Sequence, residues 1–149
     1  DVVPEYLLTG EYRPRASVRT VANAMDVGAP SNFERMLWMC GDSYSNMTSE
    51  IKGFSCSDGQ ILDAIREIYE KYGYVSDPHS AVGYLATRHY GSNGFWLSTA
   101  HAAKFTEIIQ RAVGITPDLP SGLALAMGKE RCFTKVSADA SMLADYLKG

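Results

Sequence analysis

The chain has few cysteines, and their spacing forms no recognised motif. Its 149 residues include three, Cys40, Cys56 and Cys132, which lie far apart and never as a CxxC pair. An odd number of separated cysteines predicts neither a disulfide framework nor a zinc knuckle. We therefore expect a protein of the reducing cytoplasm.

Long apolar runs and surplus positive charge are also missing. No stretch approaches the roughly 18 apolar residues of a membrane-spanning helix, and no charged-then-apolar leader opens the sequence, so neither a membrane span nor a secretory signal is expected. The formal net charge of -3 gives no electrostatic support for binding nucleic acid or an anionic membrane. The sequence begins at Asp1 without a methionine, which fits either a piece of a longer protein or a trimmed leader.

The composition is that of a globular protein. Hydrophobic residues make up 46% and charged residues 21%, so we expect residues 1–149 to form a single domain or a fragment of one. The histidines His79, His89 and His101 have no carboxylate or thiolate at metal-ligand spacing, and no base is placed beside any cysteine. The sequence therefore predicts no metal site and assigns no catalytic side chain.

Helical signals are clearest in the middle of the chain. Ser57 and Gln60 have capping-box spacing, an apolar stripe follows, and Gly73 suits the left-handed position that ends a helix. Asp77 and Pro78 have the order of a cap and a first helical residue. Periodicity predicts further helices over residues 17–25, 30–40, 102–114, 121–128 and 137–149, the last capped by Ser137.

Short apolar segments between the helices predict strands. They cover residues 51–56, 94–98 and 131–136, so the chain is expected to be α/β, with helices around a few short strands. Thr99 then lies where a strand ends and a helix begins, which is where open α/β sheets bind ligands. Its hydroxyl suits a ring nitrogen that is not fully protonated, although its spacing alone favours a helix cap.

Three motifs together carry a family resemblance. "VPEYLLTGEYRPRASVRTVANAMDVGAPSNFERM", "GYVSDPHSAVGYLA" and "LSTAHAAKF" occur in the order and approximate spacing of the carboxyl-terminal part of threonine synthases of the bacterial and fungal type. The resemblance covers about Val2 to Leu119. It implies a pyridoxal 5'-phosphate enzyme of fold type II, like the β subunit of tryptophan synthase, that converts O-phospho-L-homoserine and water to L-threonine and phosphate. It also implies that Thr99 hydrogen-bonds the pyridine nitrogen of the cofactor.

The resemblance further suggests what this chain contributes to such an enzyme. The positions that match family motifs, and are candidate substrate contacts, are Asn23, Asp26, Ser31, Asn32 and His79. Roles as caps and turn residues suit them equally. The family's Schiff-base lysine and glycine-rich phosphate loop lie upstream of the first motif. The implied partner is therefore the remainder of the same polypeptide, and the segment alone is expected to be inactive.

Two departures from the family pattern stand within the motifs. Ala102 replaces the usual proline after the histidine, which could loosen the helix start, and Ala22 replaces a serine, which could remove a polar contact. Two other functions stay open. One is another fold type II lyase, such as a serine or threonine dehydratase, and the other is a binding module that kept the fold and lost catalysis.

Overall fold

The computed structural model describes residues 1–91 and 93–148, which fall into two compact units, Asp1–Asp118 and Leu119–Gly149. The elements of the first unit are α1 (Val2–Thr9), a 3-10 turn (Asn23–Met25), α2 (Asn32–Met39), α3 (Tyr44–Glu50), α4 (Asp58–Tyr72), α5 (Pro78–His89), a second 3-10 turn (Ala102–Phe105) and α6 (Thr106–Val113). The second unit contains α7 (Ser121–Met127) and α8 (Ala140–Lys148). None of the described helices is both long and apolar enough to span a bilayer.

The main core forms where α4 packs against α5 and α6. Ile65 and Ile109 are completely buried there, and Tyr84 and Ala102 belong to the same buried cluster. A second, smaller core joins α1, α2 and α3 around Tyr6, Phe33 and Met47. The first unit thus holds two cores.

Helix α4 begins and ends as its sequence predicts. The Ser57 Oγ accepts a hydrogen bond from the Gln60 N–H, and the Gln60 Oε1 accepts one from the Ser57 N–H, which completes the capping box. Gly73 ends the helix with φ 65°, a left-handed conformation that a side chain would strain. Both predicted signals are confirmed.

The prediction of an α/β fold is wrong for the described residues. Residues 1–91 and 93–148 contain no strand, and the segments 51–56, 94–98 and 131–136 are irregular. The reason is pairing, because a strand is defined by ladder hydrogen bonds to a neighbour and these apolar segments have none within that range. Apolar alternation in sequence predicts a half-buried extended segment, but it does not supply the partner.

The beginning of the chain also differs from its prediction. The helix expected over residues 17–25 is reduced to the 3-10 turn at Asn23–Met25. The reason is that two carboxylates bind backbone N–H groups of this segment. The Asp26 carboxylate accepts hydrogen bonds from the Thr20 N–H and hydroxyl, and the Asp58 carboxylate accepts one from the Val21 N–H. Helices α1 and α3 were not predicted.

The second unit is exposed over nearly its whole length. Helix α8 is not capped by Ser137 as predicted. The Asp139 Oδ1 accepts hydrogen bonds from the N–H groups of Ser141, at 2.9 Å, and Met142, at 3.1 Å. A carboxylate at this place satisfies the same orphan amides that the serine was expected to bind.

Candidate functional site

The candidate site is built on the amino terminus of α5. Asp77 is 1% exposed, and its carboxylate accepts hydrogen bonds from the N–H groups of His79 and Ser80, at 2.9 and 3.3 Å. The Ser80 hydroxyl also donates to the Asp77 Oδ2. A buried carboxylate is tolerated when donors surround it in this way, so Asp77 both caps the helix and fixes the side chains around it.

His79 connects three separate motifs of the sequence. Its Nδ1 lies 3.1 Å from the Asp77 Oδ1, and its Nε2 lies 3.0 Å from the carbonyl oxygen of Ala22. The ring also packs against Phe105, with centroids 4.9 Å apart. The imidazole therefore joins α5 to the loop before the first 3-10 turn and to the end of the second.

The loop containing Asn23 and Asp26 lies beside His79. Hydrogen bonds from Thr20, with smaller contributions from the charges of His79 and Arg19, lower the pKa of Asp26 below its ordinary value. Asn23 is exposed, and its side chain has no hydrogen-bond partner among residues 1–91 and 93–148. Asp26 thus shapes the loop, while Asn23 leaves its amide open to solvent.

Asn23 also lines a cleft of about 550 Å³. Three cationic side chains, Arg19, Lys104 and Arg111, border this cleft together with the carboxylates of Asp58 and Glu107. The cleft runs between the loop around Asn23 and the segment that begins α6.

Ser31 and Asn32 do not share this environment. Both are exposed at the start of α2, whose Phe33 belongs to the second core. Ser31 is in the cap position of α2 but has a helical conformation and makes no side-chain cap hydrogen bond. The structure therefore brings together Asn23, Asp26 and His79 and places the other two candidates on another core.

Thr99 is exposed, and its hydroxyl has no hydrogen bond to another residue of the described ranges. The cap of the following 3-10 turn is instead His101, whose Nδ1 accepts a hydrogen bond from the Ala103 N–H at 3.2 Å. The expectation that Thr99 caps this turn is wrong. Its hydroxyl is left able to donate and to accept a hydrogen bond.

Sequence reasoning missed the polar contacts that reach the residue before Thr99. The Ser98 Oγ lies 3.0 Å from the Ser80 Oγ and 3.2 Å from the Tyr74 hydroxyl oxygen. Serine and tyrosine at these separations carry no periodic signal, so only the fold brings them together.

Comparisons with known proteins place the chain in one family. Residues 80–147 match the family model described as "Threonine synthase, C-terminal". The threonine synthase of Serratia marcescens is 38% identical over 135 residues, covering 84% of this chain and 29% of that protein. The threonine synthase of Escherichia coli strain K12 is 35% identical over 134 residues, with 83% and 29% covered.

Solved structures agree with the sequence comparison. The crystal structure of threonine synthase from Escherichia coli has a TM-score of 0.78 and 33% identity, covering 99% of this chain and 35% of that one. PLP-bound threonine synthase from Brucella melitensis has a TM-score of 0.68 and 26% identity, covering 99% and 38%. The chain spans about a third of the length of these relatives. It belongs to the threonine synthase family and corresponds to the carboxyl-terminal part of its members.

Proposed function

We propose that this chain is the carboxyl-terminal part of a pyridoxal phosphate-dependent threonine synthase, which converts O-phospho-L-homoserine and water to L-threonine and phosphate in the cytoplasm. The observation that carries the proposal is the exposed Thr99 hydroxyl, which lacks a partner among residues 1–91 and 93–148 and directly follows the anchored Ser98. The family membership and the cofactor of the Brucella melitensis relative support it.

The residues of this chain fit one edge of the cofactor. A pyridine nitrogen accepts one hydrogen bond, and the Thr99 hydroxyl supplies one neutral donor. When bound, pyridoxal phosphate supplies the electron sink, and the protein adjusts its electronics. A threonine hydroxyl leaves the ring nitrogen essentially unprotonated, whereas a carboxylate at the same place would favour its protonated form.

Asn23 is the strongest substrate contact among the five candidates. Its amide is open and lines the cleft of about 550 Å³, whereas the polar atoms of Asp26 and His79 are occupied by Thr20, Asp77 and the Ala22 carbonyl. Asp26 and His79 then hold the loop that presents Asn23. Ser31 and Asn32 stay predicted substrate contacts, and their exposed place at the start of α2 adds no argument for that role.

The rest of the enzyme must supply the nucleophilic amine and the grip on the cofactor phosphate. No lysine of this chain stands in a motif like that of the family's Schiff-base lysine. Lys71 pairs with Glu67, and Lys52 lies over the Tyr90 ring, 5.4 Å from its centroid. We therefore expect the 149-residue chain alone to release no phosphate from O-phospho-L-homoserine.

The test of Thr99 uses the full-length enzyme that contains this chain. We expect Thr99→Ala to keep the cofactor bound, to shift its absorbance and to lower kcat about tenfold, the effect of losing one hydrogen bond of about 1.4 kcal/mol. Thr99→Ser keeps the hydroxyl and is the matched control, expected to stay close to wild type. Unchanged turnover and absorbance in Thr99→Ala would contradict the proposed role.

A further inference from the structure

The contacts of Ser98 form a hydrogen-bonded chain that ends at a buried carboxylate. Tyr74 contacts Ser98, Ser98 contacts Ser80, and Ser80 contacts Asp77. Ser80 is 2% exposed and Asp77 is 1% exposed, so the inner half of the chain is protected from water. Ser98 itself is exposed and comes from a segment without a ladder partner in the described residues.

The Ser80 hydroxyl is the shared donor of this series of contacts. Each hydroxyl carries one hydrogen, and an ionised carboxylate only accepts. The Ser80 hydroxyl therefore divides its one hydrogen between the Asp77 Oδ2 and the Ser98 Oγ, and either hydroxyl can donate in the contact between Tyr74 and Ser98.

A second contact orients the same segment on α5. A Cβ built on Gly83 would lie 3.0 Å from the Trp96 Cβ, and the Tyr84 and Trp96 rings are 5.6 Å apart in an edge arrangement. Ser98 meets Ser80 one helical turn before Gly83, so residues 96 and 98 both face α5.

The residues on either side of Trp96, Phe95 and Leu97, face the other way. Phe95 is 86% exposed and Leu97 is 75% exposed, against 38% for Trp96. This alternation has the period of two residues that is typical of an extended chain. By the same alternation Thr99 faces away from α5, on the side of Phe95 and Leu97, when Ser98 is held on Ser80.

From this geometry we propose that Ser80 and Ser98 are positioning residues for Thr99. The hydrogen bond between their hydroxyls anchors the segment that carries Thr99 to the capped start of α5 and so fixes where the Thr99 hydroxyl points. This inference rests on the proposed function, because Thr99 must bind the cofactor for its direction to matter. A misplaced binding group lowers the rate even when the group itself is intact.

Ser98→Ala in the full-length holoenzyme tests the inference, since Ser98 is exposed and its loss leaves the core unchanged. We expect kcat to fall about threefold to tenfold, the effect of one neutral hydrogen bond, with the cofactor absorbance shifted in the same direction as in Thr99→Ala. Ser98→Thr keeps the hydroxyl and is expected to keep kcat and the cofactor absorbance close to those of the wild type. Within residues 1–91 and 93–148 the Ser49 hydroxyl bonds only to the Asn46 carbonyl in α3, so Ser49→Ala is expected to change neither readout.

The decisive measurement is a double-mutant cycle with Thr99→Ala. If Ser98 acts through Thr99, the double variant has the kcat and absorbance of Thr99→Ala alone. Effects of Ser98→Ala that multiply those of Thr99→Ala, or a normal Ser98→Ala spectrum beside an altered Thr99→Ala spectrum, would overturn the positioning role and leave the proposed function intact. A Thr99→Ala enzyme with the kcat and absorbance of the wild type would overturn both the positioning role and the proposed function.

Discussion

Gly28 is expected to tolerate no side chain, for a reason that lies in the backbone of another segment. A Cβ on Gly28 would lie 1.8 Å from the carbonyl oxygen of Arg15 and 2.8 Å from its carbonyl carbon. The same approach allows the Arg15 N–H to donate to the Gly28 oxygen at 3.0 Å, and the Gly28 N–H to donate to the Ser17 Oγ at 3.2 Å. Glycine is needed here for close contact.

The size of the effect follows from these contacts. The obstructing atoms belong to backbone, so they cannot rotate away, and the two segments must separate by more than an ångström. Overpacking of this kind destabilises a protein by about 1–3 kcal/mol. Weakening the two hydrogen bonds adds about 1 kcal/mol. We therefore expect Gly28→Ala to lower the free energy of unfolding by about 2–4 kcal/mol.

Urea unfolding of the 149-residue chain, followed by circular dichroism at the helical minimum, measures this change. Gly59→Ala is the matched control, because a Cβ there meets only the Ser57 Oγ at 3.9 Å. Gly59 is the second residue of α4, so alanine is expected to change stability by less than about 1 kcal/mol, in the favourable direction of helix propensity. If both variants shifted the urea midpoint equally, the close approach at Gly28 would not be the cause.

Two further predictions concern side chains that bind nearby backbone N–H groups, Ser57 and Asp26. Ser57→Ala removes the side-chain acceptor of the α4 capping box and is expected to destabilise the chain by about 1 kcal/mol in the same urea assay, whereas Ser57→Asp retains an acceptor. The pKa of Asp26 is lowered chiefly by hydrogen bonds from Thr20, so its stabilisation is present above the ordinary value of 3.8 and is lost as the pH falls through the lower folded value. Asp26→Asn should therefore weaken the pH dependence of unfolding below pH 4, and an unchanged acid profile would contradict this assignment.

Local chemistry made the central helices predictable. The capping box at Ser57 and the Asp77 and Pro78 pair act within one helical turn, so the residues that determine these starts are adjacent in sequence. Ile61, Ile65 and Ile68 are buried as their period requires, whereas Tyr72, predicted as the last residue of the same buried stripe, is 66% exposed at the end of α4.

Long-range contacts explain what the sequence could not predict. The apolar period over residues 17–25 is real, but Asp26 and Asp58 bind backbone N–H groups there and favour a loop over a helix. The three expected strands failed for a related reason, since a strand depends on a neighbour that lies elsewhere in the chain. Ser98 was overlooked because its partner Ser80 is 18 residues away.

At both departures from the family motifs, interactions that do not need the usual side chain hold the segment in place. Ala22 lacks the hydroxyl of the usual serine, yet its carbonyl oxygen accepts the contact from His79, so this contact does not depend on the side chain. Ala102 replaces a proline at the first position of a 3-10 turn, where proline helps mainly by its fixed φ. His101 caps that turn with its ring nitrogen, and Ala102 is buried in the main core, so two other interactions hold the start in place. The turn that follows Thr99 is therefore fixed without the proline.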